Sequence, residues 1–213
     1  MTEPWSERAE LYRTSAVHVA GPDLDLMVEW SAGSGTALDV ATGGGHVARR
    51  LREAGLRVVT SDPAPGMKPD VICPAEHLPF ADGSFDVVTC RRAAHHFSDV
   101  AAAVLEMARV SNSLVLLQDA IRVNDDVERA ERLRDPSHVL HYTEHEWRAY
   151  FAAAGLKVEA AESFVEHLDF ESWLARTGCE GETAEEVREL LAEQTVGDGW
   201  NYPYLVFKTR KAA

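Results

Sequence analysis

The sequence predicts an α/β protein, a doubly wound and mostly parallel sheet of seven strands with helices on both faces. Two observations carry this. Short apolar runs alternate with helix-period segments between residues 35 and 120. The runs are apolar throughout rather than at every second position, as strands covered on both faces are. A strand–helix–strand succession then requires right-handed crossovers and parallel pairing.

Each element follows in order. Gly35 to Val40 (GTALDV) is a strand that runs into glycines. His46 to Ala54 is a helix with Val47, Leu51 and Ala54 on one face and Gly55 as its stop. Leu56 to Ser61 is the second strand, Asp70 to Cys73 a short third and Phe85 to Cys90 a fourth. Asp99 caps a helix whose stripe is Val100, Ala103, Val104, Met107 and Ala108. Ser113 to Gln118 is the fifth strand. The charged stretch Ile121 to Ser137 reads as loop plus a short helix. Thr143-x-x-Glu146 is a capping box, followed by Trp147, Tyr150, Phe151 and Ala154 at helical spacing and Gly155 as the end. Leu156 to Phe164 is the sixth strand. Thr183-x-x-Glu186 reads as a second capping box, opening a helix to about Glu193, and Tyr204 to Thr209 is the last strand. Ser6 to Tyr12 and Pro22 to Trp30 are amphipathic pieces that read as helices over the pocket mouth.

With 213 residues the chain suits one domain, 1–213. Lys and Arg total 21 against 35 Asp and Glu, a formal charge of -14. That charge repels phosphate backbones, so nucleic acid and anionic membranes are not the expected partners. Cys73, Cys90 and Cys179 form no CxxC pair, and reduced thiols are expected. The N-terminal stretch MTEPWSERAELY is polar and acidic, and no apolar run reaches membrane-spanning length. A cytoplasmic protein without membrane insertion is the expectation.

In an open α/β sheet the ligand lies beyond the carboxyl ends of the strands. The first strand ends there in Asp39-Val40-Ala41-Thr42-Gly43-Gly44-Gly45-His46. Consecutive glycines before a helix let the backbone approach a ligand. Gly43-x-Gly45-x-x-Ala48 also satisfies the dinucleotide fingerprint, with Asp62 at the end of the second strand as the ribose acid. Asp39 argues against a dinucleotide, because a carboxylate stands badly beside a pyrophosphate. It suits a ligand carrying a cationic amino group.

LDVATGGGHVARRL resembles the first motif of class I S-adenosylmethionine-dependent methyltransferases. The stretch Asp70 to Asp99 is similar to the subgroup that includes ubiquinone and menaquinone C-methyltransferases. It carries Ala75-Glu76-x-Leu78-Pro79-Phe80, Asp82-Gly83-Ser84-Phe85-Asp86 and His95-His96-Phe97 in that order. The resemblance spans about Thr36 to Val110. It implies a Rossmann-like fold with an antiparallel last strand, an N-terminal helical cap (1–34), a cofactor-binding half (35–120) and an acceptor-side half (121–213). It further implies S-adenosyl-L-methionine as cofactor. Asp39, Ala41 and Gly43 to Gly45 then line its methionine end, Asp62 its ribose, Ala75 and Glu76 its adenine, and Arg91 and Arg92 the methionine part or the acceptor. One departure stands out. Between Asp62 and Asp70 only Pro63-Ala64-Pro65-Gly66-Met67-Lys68-Pro69 remains, too short and proline-rich for the helix the family places there.

Methyl transfer needs alignment and dryness more than a protein nucleophile. A base is needed where the acceptor must lose a proton, and His95, His96 and His138 are the candidates, with His141 and His145 as solvated or helix-capping alternatives. The histidine spacings are irregular, so no metal is expected. Trp147 and Phe151 read as core, while Trp200 and Tyr202 line a pocket or an interface, which leaves homodimerisation open. The expected partner is a small, aromatic or quinone-like methyl acceptor. The alternatives are a chain that binds cofactor without transferring methyl, a nicotinamide-dependent oxidoreductase, and a regulatory or structural protein with a vestigial site.

Overall fold

In a computed structural model, residues 3–212 are described; Met1, Thr2 and Ala213, the ends of the expected unit 1–213, lie outside them. The strands are β1 (Thr36–Val40), β2 (Arg57–Asp62), β3 (Val71–Ile72), β4 (Phe85–Arg91), β5 (Ser111–Ala120), β6 (Leu156–Asp169), β7 (Thr195–Val196) and β8 (Gly199–Lys211). They form one sheet in the order β3-β2-β1-β4-β5-β8-β6, with β7 pairing β8 off that path. β1 to β5 pair parallel, and β8 runs antiparallel to both β5 and β6. The chain winds outward from β1 through β2 to β3, then returns to the other side of β1 as β4. The strand order therefore reverses at β1 and β4, where crossovers diverge and a crevice opens.

The helices are α1 (Glu3–Glu7), α2 (Ala9–Thr14), α3 (Ala16–Val19), α4 (Pro22–Trp30), α5 (His46–Glu53), α6 (Val100–Val110), α7 (Asp125–Arg134), α8 (Glu144–Ala153), α9 (Phe170–Ala175) and α10 (Gly181–Leu190). Alternate residues of each central strand feed two cores. Ala37, Val87, Leu114 and Leu116 meet Leu24, Met27, Val47, Leu51, Val127 and Val187 on one face. Leu38, Val88, Val115 and Leu117 meet Val100, Val104, Met107, Trp147 and Phe151 on the other. This two-sided burial is why the strands read as continuous apolar runs.

Several expectations change. The sheet gains an eighth strand, because Gly197 takes a left-handed turn (φ 62°) and folds Thr195–Val196 back on Trp200 and Gly199. Two residues are too few to display alternation. Thr183 is no cap: α10 begins two residues earlier, at Gly181 after Glu180, and Glu186 pairs with Arg129. As expected, the charged stretch 121–137 is loop plus a helix, α7, capped by Asn124, whose side chain accepts from the Val127 amide. Trp200 is buried against Trp173 with ring centroids 5.4 Å apart, so it belongs to the core and not to an interface. The Asp99 cap and the Thr143–Glu146 capping box form as expected.

The shortened segment after β2 is a single 3-10 turn, Pro65–Met67. The N-terminal helices take the place of the missing helix. The Gly66 amide donates to Ser6 Oγ at 3.1 Å, and Arg13 donates to the Gly66 carbonyl at 2.6 Å. A side chain at Gly66 would strike Ser6 Cα at 2.6 Å. Ala9, Ala64 and Met67 form a third small core beside Trp5 and Tyr12.

A buried ion pair ties this cap to the sheet. Arg91, the last residue of β4, donates to both oxygens of Asp23 at 2.6 and 3.1 Å and to the His18 carbonyl at 2.8 Å. Asp23 is fully buried at the start of α4. Removing one partner leaves the other charge uncompensated, which costs about 3–5 kcal/mol. Asp23→Ala is therefore expected to lower the unfolding free energy by about that amount in urea titration; a change within error would mean that the pair contributes nothing.

Candidate active site

A cavity of about 510 Å³ opens at the reversal point. Its wall is built from the carboxyl ends of β1, β2 and β4, the loops after them and the N-terminal cap. Asp39, Ala41, Gly43, Gly44, Asp62, Ala75, Glu76, Arg91, His96 and His138 all line it. A larger, open groove of about 670 Å³ between α7 and α10 is lined mainly by glutamates and includes none of the strand-end residues.

Asp39 lies beneath the glycine loop and is 2% exposed. Its Oδ2 accepts from Thr42 Oγ1 at 2.6 Å and from the Ala48 amide at 3.3 Å. Its Oδ1 accepts from Thr89 Oγ1 at 2.9 Å, a pairing set by the register that places Asp39 opposite Thr89. Burial pushes its carboxyl up to about 6 against these hydrogen bonds. Gly45 takes a left-handed conformation (φ 77°) to start α5. At Gly44 the constraint is space: an added Cβ would stand 2.6 Å from His46 Nε2 and 2.9 Å from the Tyr12 carbonyl oxygen. Tyr12 thus lies directly on the loop, held by His46 Nε2 at 3.0 Å.

Asp62 accepts from the Gly43 amide at 3.0 Å through Oδ2 and from the Ala64 amide at 2.9 Å through Oδ1. Each oxygen keeps a further acceptor site. Burial raises its carboxyl above the ordinary range. Glu76 is engaged as well, its Oε1 accepting from the Ser98 amide and hydroxyl at 2.9 and 2.8 Å. The loop carrying Ala75 and Glu76 is held from below by α6. Glu106 accepts from the Leu78 amide at 2.8 Å, and Arg109 donates to the Leu78 and Phe80 carbonyls at 2.9 and 2.7 Å. Gly45 is the one expected cofactor residue that does not line the cavity; it serves the turn. Arg91 lines the cavity, but its guanidinium is committed to Asp23.

The backbone is strained where these loops meet. Ala41 and Arg92, each just past a strand, hold φ of 51° and 54°. Left-handed non-glycine residues cost about 1–3 kcal/mol each and cluster at functional sites.

The histidines converge from distant segments. His95 and His96 sit on a 3-10 turn after β4, with ring centroids 4.2 Å apart. His96 faces the cavity, its Nδ1 3.0 Å from the Ser137 carbonyl, which fixes that nitrogen as the donor. Burial and the neighbouring His95 push its pKa down to about 3, so the ring is neutral. His95 lies one layer behind the cavity wall. Its Nδ1 is 2.6 Å from Asp119 Oδ1, and that carboxylate outweighs burial to raise its pKa. His138 reaches the wall from the loop after α7 with Nε2 3.0 Å from Glu128. His141 is buried beside it, not solvated, with Nδ1 2.9 Å from the same carboxylate.

Residues 38–114 match a family described as a methyltransferase domain. The chain is 33% identical over 208 residues to the uncharacterized methyltransferase YcgJ of Bacillus subtilis, covering 86% of this chain and 82% of that protein. The chain belongs to the class I methyltransferase family. The crystal structure of the BH2331 protein of Bacillus halodurans superposes on this methyltransferase domain with a TM-score of 0.81 at 30% identity, covering 91% of this chain and 100% of that one. A demethylmenaquinone methyltransferase of Beutenbergia cavernae is 39% identical over 84 residues, 35% of each chain.

Sequence reasoning placed N-terminal helices over the pocket mouth but named none of the side chains they bring to it. Trp5, Tyr12 and His18 line the cavity, and so do Phe97, Pro136 and Val139. Of the first group, Tyr12 lies in one of the two pieces, 6–12 and 22–30, read as helices over the mouth. If Tyr12 seals the glycine loop, Gly44→Ala lifts it. Tryptic cleavage after Arg8 or Arg13 is then expected to accelerate about tenfold, the effect of weakening the docked state by about 1.4 kcal/mol. An unchanged cleavage rate would show that α2 does not depend on this contact.

Proposed function

We propose that the chain transfers a methyl group from S-adenosyl-L-methionine to a small aromatic or quinone-like acceptor. The observation that carries this is the cavity at the strand reversal, where Asp39, the glycine loop, Asp62 and the Ala75–Glu76 loop share one wall. The donor set fits the cofactor. Asp62 keeps an acceptor site on each oxygen for two ribose hydroxyls, and Asp39 offers negative charge for an ammonium group. When bound, the cofactor supplies a methyl group activated on a sulfonium and leaves as a thioether.

The chain's own residues then hold, orient and exclude water. Residues 3–34 cover the acceptor end, with Trp5 edge-on to His96 at 5.6 Å. Trp5, Tyr12, Phe97 and Val139 give that end an apolar, aromatic lining suited to a flat ring. The partial likeness to a demethylmenaquinone methyltransferase supports the same acceptor class. His96 serves as a positioning residue. Its Nδ1–H faces Ser137, so Nε2 presents a lone pair able to accept from an acceptor hydroxyl. A conjugate acid of about 3 makes it a poor store for a proton at neutral pH. With His95 behind the wall, acid–base work falls to the acceptor's own acidity more than to these rings. The acidic chain acts, on this reading, on a small molecule in the cytoplasm and not on nucleic acid.

Calorimetry with S-adenosylhomocysteine tests the reading, and micromolar binding is expected. Asp62→Ala should weaken it by about 1–3 kcal/mol, the cost of losing hydrogen bonds to a charged acceptor. No binding up to millimolar ligand would remove the cofactor assignment, and binding without turnover against phenols and quinols would favour the non-catalytic alternative.

The pH dependence has a definite sign. Asp39 must be ionised to meet an ammonium group, and its carboxyl in the free protein titrates at about 6. Affinity is therefore expected to rise as pH increases through about 6 and then level off, with protons released on binding below that point. Asp39→Asn should flatten this profile and weaken binding on the plateau. A profile that stays the same in the variant would take Asp39 out of contact with the ligand's charge.

A further inference from the structure

We propose that His95, His138 and His141 form a binding site for one divalent transition-metal ion of the zinc or ferrous class, set in the acceptor-side wall of the methyltransferase cavity. One ring nitrogen from each lies within 4.8 Å of one from each of the others. The ring centroids are 5.6, 5.1 and 4.5 Å apart. Nitrogens bound to one tetrahedral ion at about 2.0–2.1 Å stand about 3.4 Å apart, so three rings this close are within reach of one ion after side-chain adjustment.

The second argument is what surrounds the rings. Each histidine spends one nitrogen on a buried carboxylate. His95 Nδ1 meets Asp119, while His138 Nε2 and His141 Nδ1 meet the two oxygens of Glu128. Both carboxylate side chains are 2% exposed. Backbone amides fix them too: that of His95 donates to Asp119 at 2.8 Å and that of His141 to Glu128 at 3.1 Å. A carboxylate behind each imidazole sets its tautomer and raises its basicity toward a metal, the arrangement that accompanies metal-ligating histidines. Carboxylates accepting these N–H groups leave a bare lone pair on each neutral ring, at Nε2 of His95 and His141 and at Nδ1 of His138.

Those lone pairs lack good partners. Among the described residues, His138 Nδ1 is buried with no hydrogen-bond partner, in a side chain 1% exposed. His141 Nε2 has only the Tyr202 hydroxyl at 3.5 Å, the outer limit of a hydrogen bond. Unsatisfied buried acceptors are costly. Charge agrees as well. Two buried carboxylates face three imidazoles, and a doubly charged cation neutralises the set. Arg132 approaches Glu128 only at 3.9 Å. No thiolate joins the cluster, and an all-imidazole donor set suits zinc or iron rather than magnesium or calcium. His138 lines the cavity, so the ion would stand where it could hold an anionic oxygen of the acceptor. That last role rests on the methyl-transfer reading; the ion site itself does not.

The test uses the full chain, stripped with a chelator and checked for folding by circular dichroism. Titration with Co²⁺ is expected to bind one ion per chain and to produce visible d–d absorption, displaced by Zn²⁺. His138→Ala and His141→Ala should abolish the signal. Glu128→Gln, which keeps the side-chain shape, should weaken affinity about 10–100-fold. Folded wild-type chain that binds neither Co²⁺ nor Zn²⁺ stoichiometrically at millimolar concentration overturns the site, and so does binding that survives both alanine variants. Calorimetry of the stripped chain with S-adenosylhomocysteine reads the cofactor pocket separately, so failure of one assignment leaves the other measurable.

Discussion

Asp39 is a carboxylate on a central strand of a sheet buried on both faces, and its hydrogen bonds organise the elements around it. Thr42 comes from the loop after β1, Ala48 from α5 and Thr89 from β4. A buried carboxylate without such donors would be intolerable. With them it fixes the glycine loop relative to two strands and a helix. The cost appears as a carboxyl that burial pushes up to about 6.

The second constraint is the missing helix after β2. A class I sheet with one cover removed would expose both a face and a pocket wall. Here the chain supplies the cover from its N-terminal helices, through Ser6, Arg13 and Tyr12 on one side and the Asp23–Arg91 pair on the other. The same segment therefore forms part of the cavity wall. On the proposed cofactor reading, ligand binding and docking of this cap would be coupled, because both involve the glycine loop and the ends of β1 and β4.

Histidine chemistry divides by depth. His96 and His138 reach the cavity wall, and His96 is neutral and aimed by Ser137. His95, His138 and His141 are locked to Asp119 and Glu128. These two carboxylates lie below the usual range, since the histidine hydrogen bonds and charges outweigh the burial that pushes them up. Rings held this firmly are better suited to presenting fixed lone pairs than to moving protons.

The sequence by itself determined the seven principal strands, the helices capped by Asp99 and Thr143, the strand ends where the cavity opens and most of its wall. These features depend on local periodicity, capping and turn chemistry, which neighbouring residues encode. It misplaced the start of α10, because Thr183 and Glu186 satisfy a capping pattern that tertiary contacts override, and it could not register a two-residue strand. Tertiary structure alone decided that Arg91 is consumed by Asp23, that Tyr12 seals the glycine loop and that His95 meets His138 and His141. Those contacts join residues 34 to 68 positions apart, or bring a turn after β4 against a loop after α7. No periodicity links such segments; only the crossover topology, which brings every strand end to one edge, places them together.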